Sequence, residues 1–252
     1  MIEIIDLTKR YGNITAVSQI NLTIPDGQFF GFLGPNGAGK TTTIKILVGL
    51  LRPTSGTVSI EGFDVQTQPI QAKQVVGFIP DKPFIYEKLT GKEFLRFTAG
   101  LYQVKEHHVE TRIEQLLEMF ELADWGDELV ESYSHGMRQK LVMSAALIHQ
   151  PKVIVVDEPM VGLDPKGARL VKQIFKDICT QGTTIFMSTH TLEIAEQMCD
   201  QIAILQQGKI IAQGTIDELR QIASTSMTRL EDIFLELTGG REMREVIEFL
   251  KT

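Results

Sequence analysis

The sequence predicts an α/β fold, a core in which strands alternate with helices, interrupted by one long helical stretch. Three observations predict it. Short apolar segments bounded by turn residues fill the first third and return after residue 150. Helical periodicity dominates residues 89–150. One continuous apolar run, Phe29-Phe30-Gly31-Phe32-Leu33, feeds a glycine-rich loop and then a helix. Runs of that kind are strands buried on both faces, which is how a largely parallel sheet reads.

Residues 2–7 and 19–24 are apolar or alternating, and Pro25-Asp26-Gly27 supplies turn chemistry after them. The run at 29–33 is followed by the loop and a helix over 42–51, which Arg52-Pro53-Thr54-Ser55-Gly56 stops. Residues 57–60 return as a strand. In the helical stretch, Val109, Ile113, Leu116, Leu117 and Phe120 fall on one stripe of an amphipathic helix. A second helix is predicted over 135–149, closed by Pro151. Strands at 153–156 and 183–187 flank a helix over 165–180, and a strand at 201–205 meets the turn Gln206-Gln207-Gly208-Lys209. The tail reads as short amphipathic helices, one over 230–237, then Gly239-Gly240 and a last helix to Leu250. The expected division is a core of residues 1–85 and 151–215, a helical subdomain of 86–150, and a C-terminal helical tail of 216–252.

Composition narrows the function. With 252 residues, 43% hydrophobic and 23% charged, the chain is an ordinary globular one, which excludes wholesale disorder, collagen and a disulfide miniprotein. Lys and Arg number 25 against 32 Asp and Glu, a net charge of −7. That balance argues against a surface built to neutralise nucleic-acid phosphates, so no nucleic-acid partner is expected. Cys179 and Cys199 have neither the number nor the spacing of a zinc site or disulfide framework, and read as small apolar residues in a reducing compartment. Glu3 and Asp6 stand where a signal peptide carries basic residues. The densest apolar run, 44–51, contains Lys45 and Gly49 and falls short of the roughly 18 residues a membrane span needs. A soluble chain is expected, with any membrane role supplied by a partner.

Gly34-Pro35-Asn36-Gly37-Ala38-Gly39-Lys40-Thr41 matches the Walker A pattern between a buried strand and a helix. Glycines at 34, 37 and 39 let the backbone wrap so that its N–H groups face phosphate oxygens, and the helix adds its positive end. Lys40 is expected to reach the β- and γ-phosphates of ATP, Thr41 to ligate Mg²⁺, and Thr42 to donate a further hydrogen bond. The strand at 153–156 ends in Asp157-Glu158. Standing alone, this is as readily an ordinary strand-to-loop pair. Beside a Walker A loop it reads as Asp157 in the Mg²⁺ shell and Glu158 polarising the attacking water.

Further motifs carry a resemblance. Tyr133-Ser134-His135-Gly136-Met137 resembles the signature loop of the ATP-binding-cassette (ABC) ATPases, usually Leu-Ser-Gly-Gly-Gln. Gly162-Leu163-Asp164-Pro165 is similar to the family's D-loop, His190 in Ser188-Thr189-His190 to its switch histidine, and residues 76–81 to its Q-loop. Tyr11 occupies the place of the aromatic that stacks on adenine. Taken singly, each has a plainer reading: Ser134 and Asp164 as helix caps, Tyr11 as a surface aromatic, His190 as a hydrogen-bonded histidine. Together they run in the family's order from residue 2 to about 214. Three departures matter: Asp81 for the Q-loop glutamine, and His135 and Met137 in the signature. The signature with its basic followers, and the tail segment 230–238, resemble the drug-, ion- and polysaccharide-export subgroup. His107 and His108 read as solvent-facing, and Trp125 as a packing residue.

The resemblance implies a P-loop NTPase core with a mixed sheet and an inserted helical subdomain. It implies an ATPase subunit that powers a separate integral membrane permease, peripheral at the cytoplasmic face of the membrane, with ATP and Mg²⁺ as cofactors. Lys40, Glu158 and His190 would be catalytic; Tyr11, residues 34–42, Ser134 and Gly136 would bind nucleotide; Thr41, Asp81 and Asp157 would face the metal. Ser134 and Gly136 would cap ATP held by a second cassette, the same chain or a different one. The rival reading is a soluble ABC ATPase. DNA-repair members need coiled-coil inserts and translation members usually carry two cassettes, which leaves an assembly role such as iron–sulfur cluster assembly. A P-loop kinase would have no use for residues 134–136 and His190.

Overall fold

The computed structural model describes residues 1–223 and 229–239. The chain opens with a long antiparallel hairpin, β1 (Ile2–Tyr11) and β2 (Ile14–Ile24), turning at Gly12 with φ +57°. Both strands outrun the segments expected from alternation. The pattern breaks at Asp6 and Gln19, which take φ of +49° and +51° while the pairing register shifts beside them. Asn21 bridges the irregularity: its side-chain oxygen accepts from the Asp6 amide at 2.8 Å and its nitrogen donates to the Asp6 carboxylate at 2.9 Å. A bulge satisfied in this way bends a strand without ending it.

β3 (Phe29–Leu33) leads to α1 (Lys40–Leu47), then β4 (Ser55–Ile60), β5 (Phe63–Asp64), α2 (Pro69–Gln74) and β6 (Val76–Ile79). The expected helix to residue 51 closes at Leu47 because Gly49 turns left-handed at φ +69°. Next come α3 (Gly91–Leu101), α4 (Glu106–Met119), single 3₁₀ turns at Ala123–Trp125 and Val130–Ser132, and α5 (His135–Leu147). The chain continues through β7 (Val153–Asp157), α6 (Pro165–Thr180), β8 (Thr184–Thr189), α7 (Leu192–Met198), β9 (Gln201–Gln206), β10 (Lys209–Gly214), α8 (Ile216–Ile222) and α9 (Leu230–Leu237). α6 and α9 match their predicted spans. β5, α2 and α7 are too short to carry a periodic signal. The last helix expected to Leu250 lies outside the described residues.

The strands form two sheets. β2-β1-β4-β5 is antiparallel. The other has the order β10-β9-β3-β8-β7-β6, parallel from β9 through β6 with β10 antiparallel at the edge. Successive side chains point to opposite faces, so its strands feed two cores. Phe30, Phe32, Val153, Val155 and Phe186 pack toward α1 and the antiparallel sheet, with Phe32 and Phe186 ring centroids 5.0 Å apart. Phe29, Ile154, Val156, Ile185 and Met187 pack toward α3–α6, where Val109, Ile113, Leu116, Leu117 and Phe120 of the predicted stripe are buried. A third cluster joins Leu33, Ile202 and Ile204 to Ala195 of α7, Leu219 of α8 and Leu230 and Ile233 of α9.

The two cysteines are free thiols, which burial pushes above the ordinary range. His107 and His108 are exposed. Trp125 is only partly a packing residue: it is 42% exposed and meets Tyr133 edge-on. Among the described residues, no helix is long and apolar enough to cross a membrane.

His149, just past α5, stacks on Tyr102 with ring centroids 3.7 Å apart and 7° between planes. Its Nε2 donates to the Val76 carbonyl at 3.1 Å, tying the helical stretch to the first residue of β6. Burial drops its pKa from 6.5 to about 4. The unfolded chain therefore takes up a proton, between those values, that the folded ring refuses. Its contribution to stability is complete well above pH 6.5 and falls as pH drops toward 4, by about 3 kcal/mol from this group. Urea unfolding from pH 7 to pH 4.5 should show a smaller loss in His149→Phe than in the wild type.

Candidate active site

The parallel register brings four strand ends level. Ile79 pairs with Val156, Asp157 with Ser188, and Leu33 with Thr189. The residues after each strand therefore emerge at one edge: Asp81 after β6, Glu158 after β7, His190 after β8 and the loop 34–39 after β3. Ligands of open α/β sheets bind outside such carboxyl ends.

The loop is held from beneath. Gly37 and Gly39 take φ of +80° and +110°. A Cβ on Gly39 would stand 2.5 Å from the Ala16 carbonyl oxygen, and one on Gly34 would stand 2.6 Å from that of Leu205. The β9–β10 turn closes over the same place: the Gly208 amide donates to the Ala38 carbonyl at 2.9 Å, and the Gly208 carbonyl accepts from the Ser18 amide at 2.8 Å. Pro35, Asn36 and Gly37 are exposed above this floor, and Ala38 is buried within it. Lys40 is 8% exposed, and its ammonium donates to the carbonyls of Gly34 at 2.6 Å and Pro35 at 3.2 Å. Burial lowers its pKa, opposed by the negative charges of Glu158 and Asp157. Thr41 is exposed and Thr42 half-buried in the first turn of α1.

Asp157 is buried and accepts a hydrogen bond from the Ser188 hydroxyl. Burial pushes its carboxyl upward; the Ser188 hydroxyl counteracts, the charges of Glu158 and Asp81 push further, and Lys40 pulls back. Glu158 sits left-handed at φ +50°. Its Oε1 accepts from the His190 amide at 2.8 Å and meets His190 Nδ1 at 2.7 Å, while its Oε2 accepts from the Thr189 hydroxyl at 3.0 Å. Sequence reasoning missed Ser188 and Thr189 as partners of the acids. Their place one and two residues before His190, on the strand next to β7, was the signal that could have found them.

Lys40, Asp81, Asp157, Glu158 and His190 thus gather at one edge, with residues 34–42. Tyr11 lies at the tip of the β1–β2 hairpin, 48% exposed, with the Lys9 ammonium 5.2 Å from its ring centre. Ser134 and Gly136 are elsewhere. Ser134 caps α5, its hydroxyl accepting from the Met137 amide at 3.3 Å. The open cleft around it, about 400 Å³, is lined by Ser134–Met137, Lys140 and Gly162–Asp164, and by no residue of the loop 34–39. Arg138 braces the approach to this helix, donating to the Tyr133 carbonyl at 3.1 Å and the Glu131 carbonyl at 3.0 Å and pairing with Glu87 at 2.7 Å.

A family model described as ABC transporter matches residues 17–161. The chain belongs to the ABC transporter family. Within it, the chain is an ATP-binding subunit and an ATPase. It is 41% identical over 208 residues to an uncharacterized ABC transporter ATP-binding protein of Nostoc, covering 82% of this chain but 62% of that relative's length. It is 37% identical over 228 residues to the daunorubicin resistance ATP-binding protein DrrA3 of Streptomyces coeruleorubidus, covering 90% of this chain and 72% of the relative. A solved ATP-binding subunit of an ABC transporter superposes with a TM-score of 0.89 at 32% identity, covering 94% of this chain and 99% of that one.

The cassette's loop geometry makes Gly39 intolerant of any side chain. Gly39→Ala combines left-handed strain with a collision against Ala16, and should lower stability by about 2 kcal/mol or more while abolishing ATP binding. Chemical denaturation and fluorescent-nucleotide titration measure the two effects.

Proposed function

We propose that this cassette binds and hydrolyses ATP with Mg²⁺ to drive export through a separate integral membrane permease. The observation that carries the reading is the convergence of Lys40, Asp157, Glu158 and His190 on the carboxyl edge of one sheet. Lys40 and the amides of residues 34–42 would hold the phosphates, with Tyr11 stacked on adenine. Glu158, fixed by Thr189 and His190, would orient the attacking water, and His190 would contact the γ-phosphate. Hydrolysis of this kind is mostly positioning and charge stabilisation.

The donor chemistry fits Mg²⁺. Thr41, Asp157 and Asp81 offer oxygen, the ligand type a hard cation takes. Two carboxylates and a hydroxyl suit an ion that takes one or two carboxylates and completes its shell with phosphate oxygens and water. When bound, the ion would neutralise charge on the β- and γ-phosphates. Asp81 would also link this edge to the permease.

The separate cleft at Ser134 supports a two-cassette unit. A helix N-terminus capped by serine suits phosphate, yet the residues around it within one chain are 162–164 rather than 34–39. A second cassette, identical or different, would bring its own loop to Ser134 and Gly136. Export is favoured by the drug-resistance relative and by the signature and tail segments; neither points to the soluble assembly alternative. The subunit would then sit at the cytoplasmic face of the membrane, held through the permease.

Lys40→Ala should reduce hydrolysis to background and weaken ATP binding strongly, measured by phosphate release and nucleotide titration; near-normal activity in a folded variant would refute the phosphate-site assignment. Glu158→Gln should bind ATP without hydrolysing it and accumulate as a dimer on size-exclusion chromatography with Mg²⁺. Adding Ser134→Arg should return it to monomer. A dimer indifferent to Ser134→Arg would remove Ser134 from the composite site.

A further inference from the structure

The two segments lining the Ser134 cleft interlock through a residue that departs from the family's usual signature. Gly162 stands at φ +79°, and a side chain there would occupy the space that the His135 imidazole fills. From the other side, a Cβ on Gly136 would lie 3.4 Å from the Gly162 carbonyl oxygen and 3.8 Å from Leu163 Cδ2. Behind this contact, Glu121 pairs with Lys140 of α5 at 3.3 Å and with Lys166 of α6 at 2.7 Å. The Lys166 end of that bridge is open to solvent, and exposed ion pairs hold weakly. Both residues are exposed at the rim of the cleft, and the contact is one imidazole edge against a backbone that has no Cβ.

The path from this contact back to the acid is short. The Leu163 amide donates to the Met160 carbonyl at 3.4 Å, the Val161 amide to the Glu158 carbonyl at 3.3 Å, and the Glu158 amide to the Ser188 carbonyl at 3.0 Å. Glycine in place of His135, as in the usual signature, could make no such contact.

We propose that His135 is a positioning residue that keys the loop 159–164 to the first turn of α5, so that the Glu158 backbone and Ser134 are carried as one body. The kinetic part of this inference rests on the ATPase reading of the site; the packing part does not.

His135→Gly should lower kcat about fivefold with KM for ATP within about twofold, since no group holding the nucleotide in the Walker A loop is removed. His135→Phe, which keeps a planar ring, should recover most of the loss. Amide hydrogen exchange at residues 160–164 should rise in His135→Gly while exchange in β7 stays unchanged. Gly162→Ala drives a Cβ into the ring, so its effect on exchange and kcat should be larger beside His135 than in the His135→Gly background. The strain of alanine at a left-handed position is common to both backgrounds and cancels in the comparison. An equal effect in the two backgrounds, or unchanged exchange at 160–164 when the ring is removed, would overturn the proposal. Exchange needs no turnover, so a wild-type chain that hydrolysed nothing would defeat the ATPase reading and leave this comparison decisive for His135.

Discussion

The carboxyl edge of the parallel sheet is organised around one buried ammonium, that of Lys40. A cation taken out of water is costly unless carbonyls and opposite charges surround it. Here the carbonyls of Gly34 and Pro35 take its protons, and Asp157 and Glu158 supply the field. That arrangement requires the loop to bend back under its own helix, which requires glycine at 37 and 39. It also requires β3 and β7 to end level with β8 between them, which the pairing of Leu33 with Thr189 and Asp157 with Ser188 provides. The acids depend on the same strand in turn: Ser188 holds Asp157, and Thr189 and His190 hold Glu158. The electrostatics of the site and the hydrogen bonding of the sheet are one constraint.

The rest of the molecule keeps that edge rigid from several sides. The antiparallel sheet and α1 cover one face, and α3–α6 cover the other. The short helices α7–α9 close the third cluster, which includes Leu33, the last residue before the loop. The chain leaving β8 thus enters packed structure as soon as it has passed His190. The helix that follows His190, α7, is anchored through Ala195 against Leu230 and Ile233 of α9.

Much of this was legible in the sequence, wherever one short segment carried both the pattern and its cause. The run at 29–33, the glycines after it and Asp157-Glu158 announced both the central strands and the glycine-rich loop at their carboxyl edge. The stripe from Val109 to Phe120 and the capped helix over 165–180 were equally local. What escaped depends on partners distant in sequence. The alternation of β1 and β2 breaks at Asp6 and Gln19, and only Asn21 across the hairpin shows why the strands continue. That the strands divide into two sheets follows from pairings over more than a hundred residues. Ser188 and Thr189 look ordinary until β8 lies beside β7, and nothing local to His135 foretells the turn at Gly162 that meets its ring.

The clasp of Gly208 on Ala38 and Ser18 has a consequence for how the protein is made. Residues 34–41 leave the ribosome long before Thr184–Gln206, the two strands that flank β3, have been synthesised. Contacts that distant in sequence form late because their chain entropy must be overcome first. A nascent chain therefore carries the complete phosphate-binding sequence without the floor that shapes it, and its apolar strand 29–33 lacks both neighbours. Nucleotide competence arrives only with the last third of the chain. A truncated product ending before residue 184 would hold the motif and lack its floor, and it would expose the apolar strand that chaperones recognise in incomplete chains.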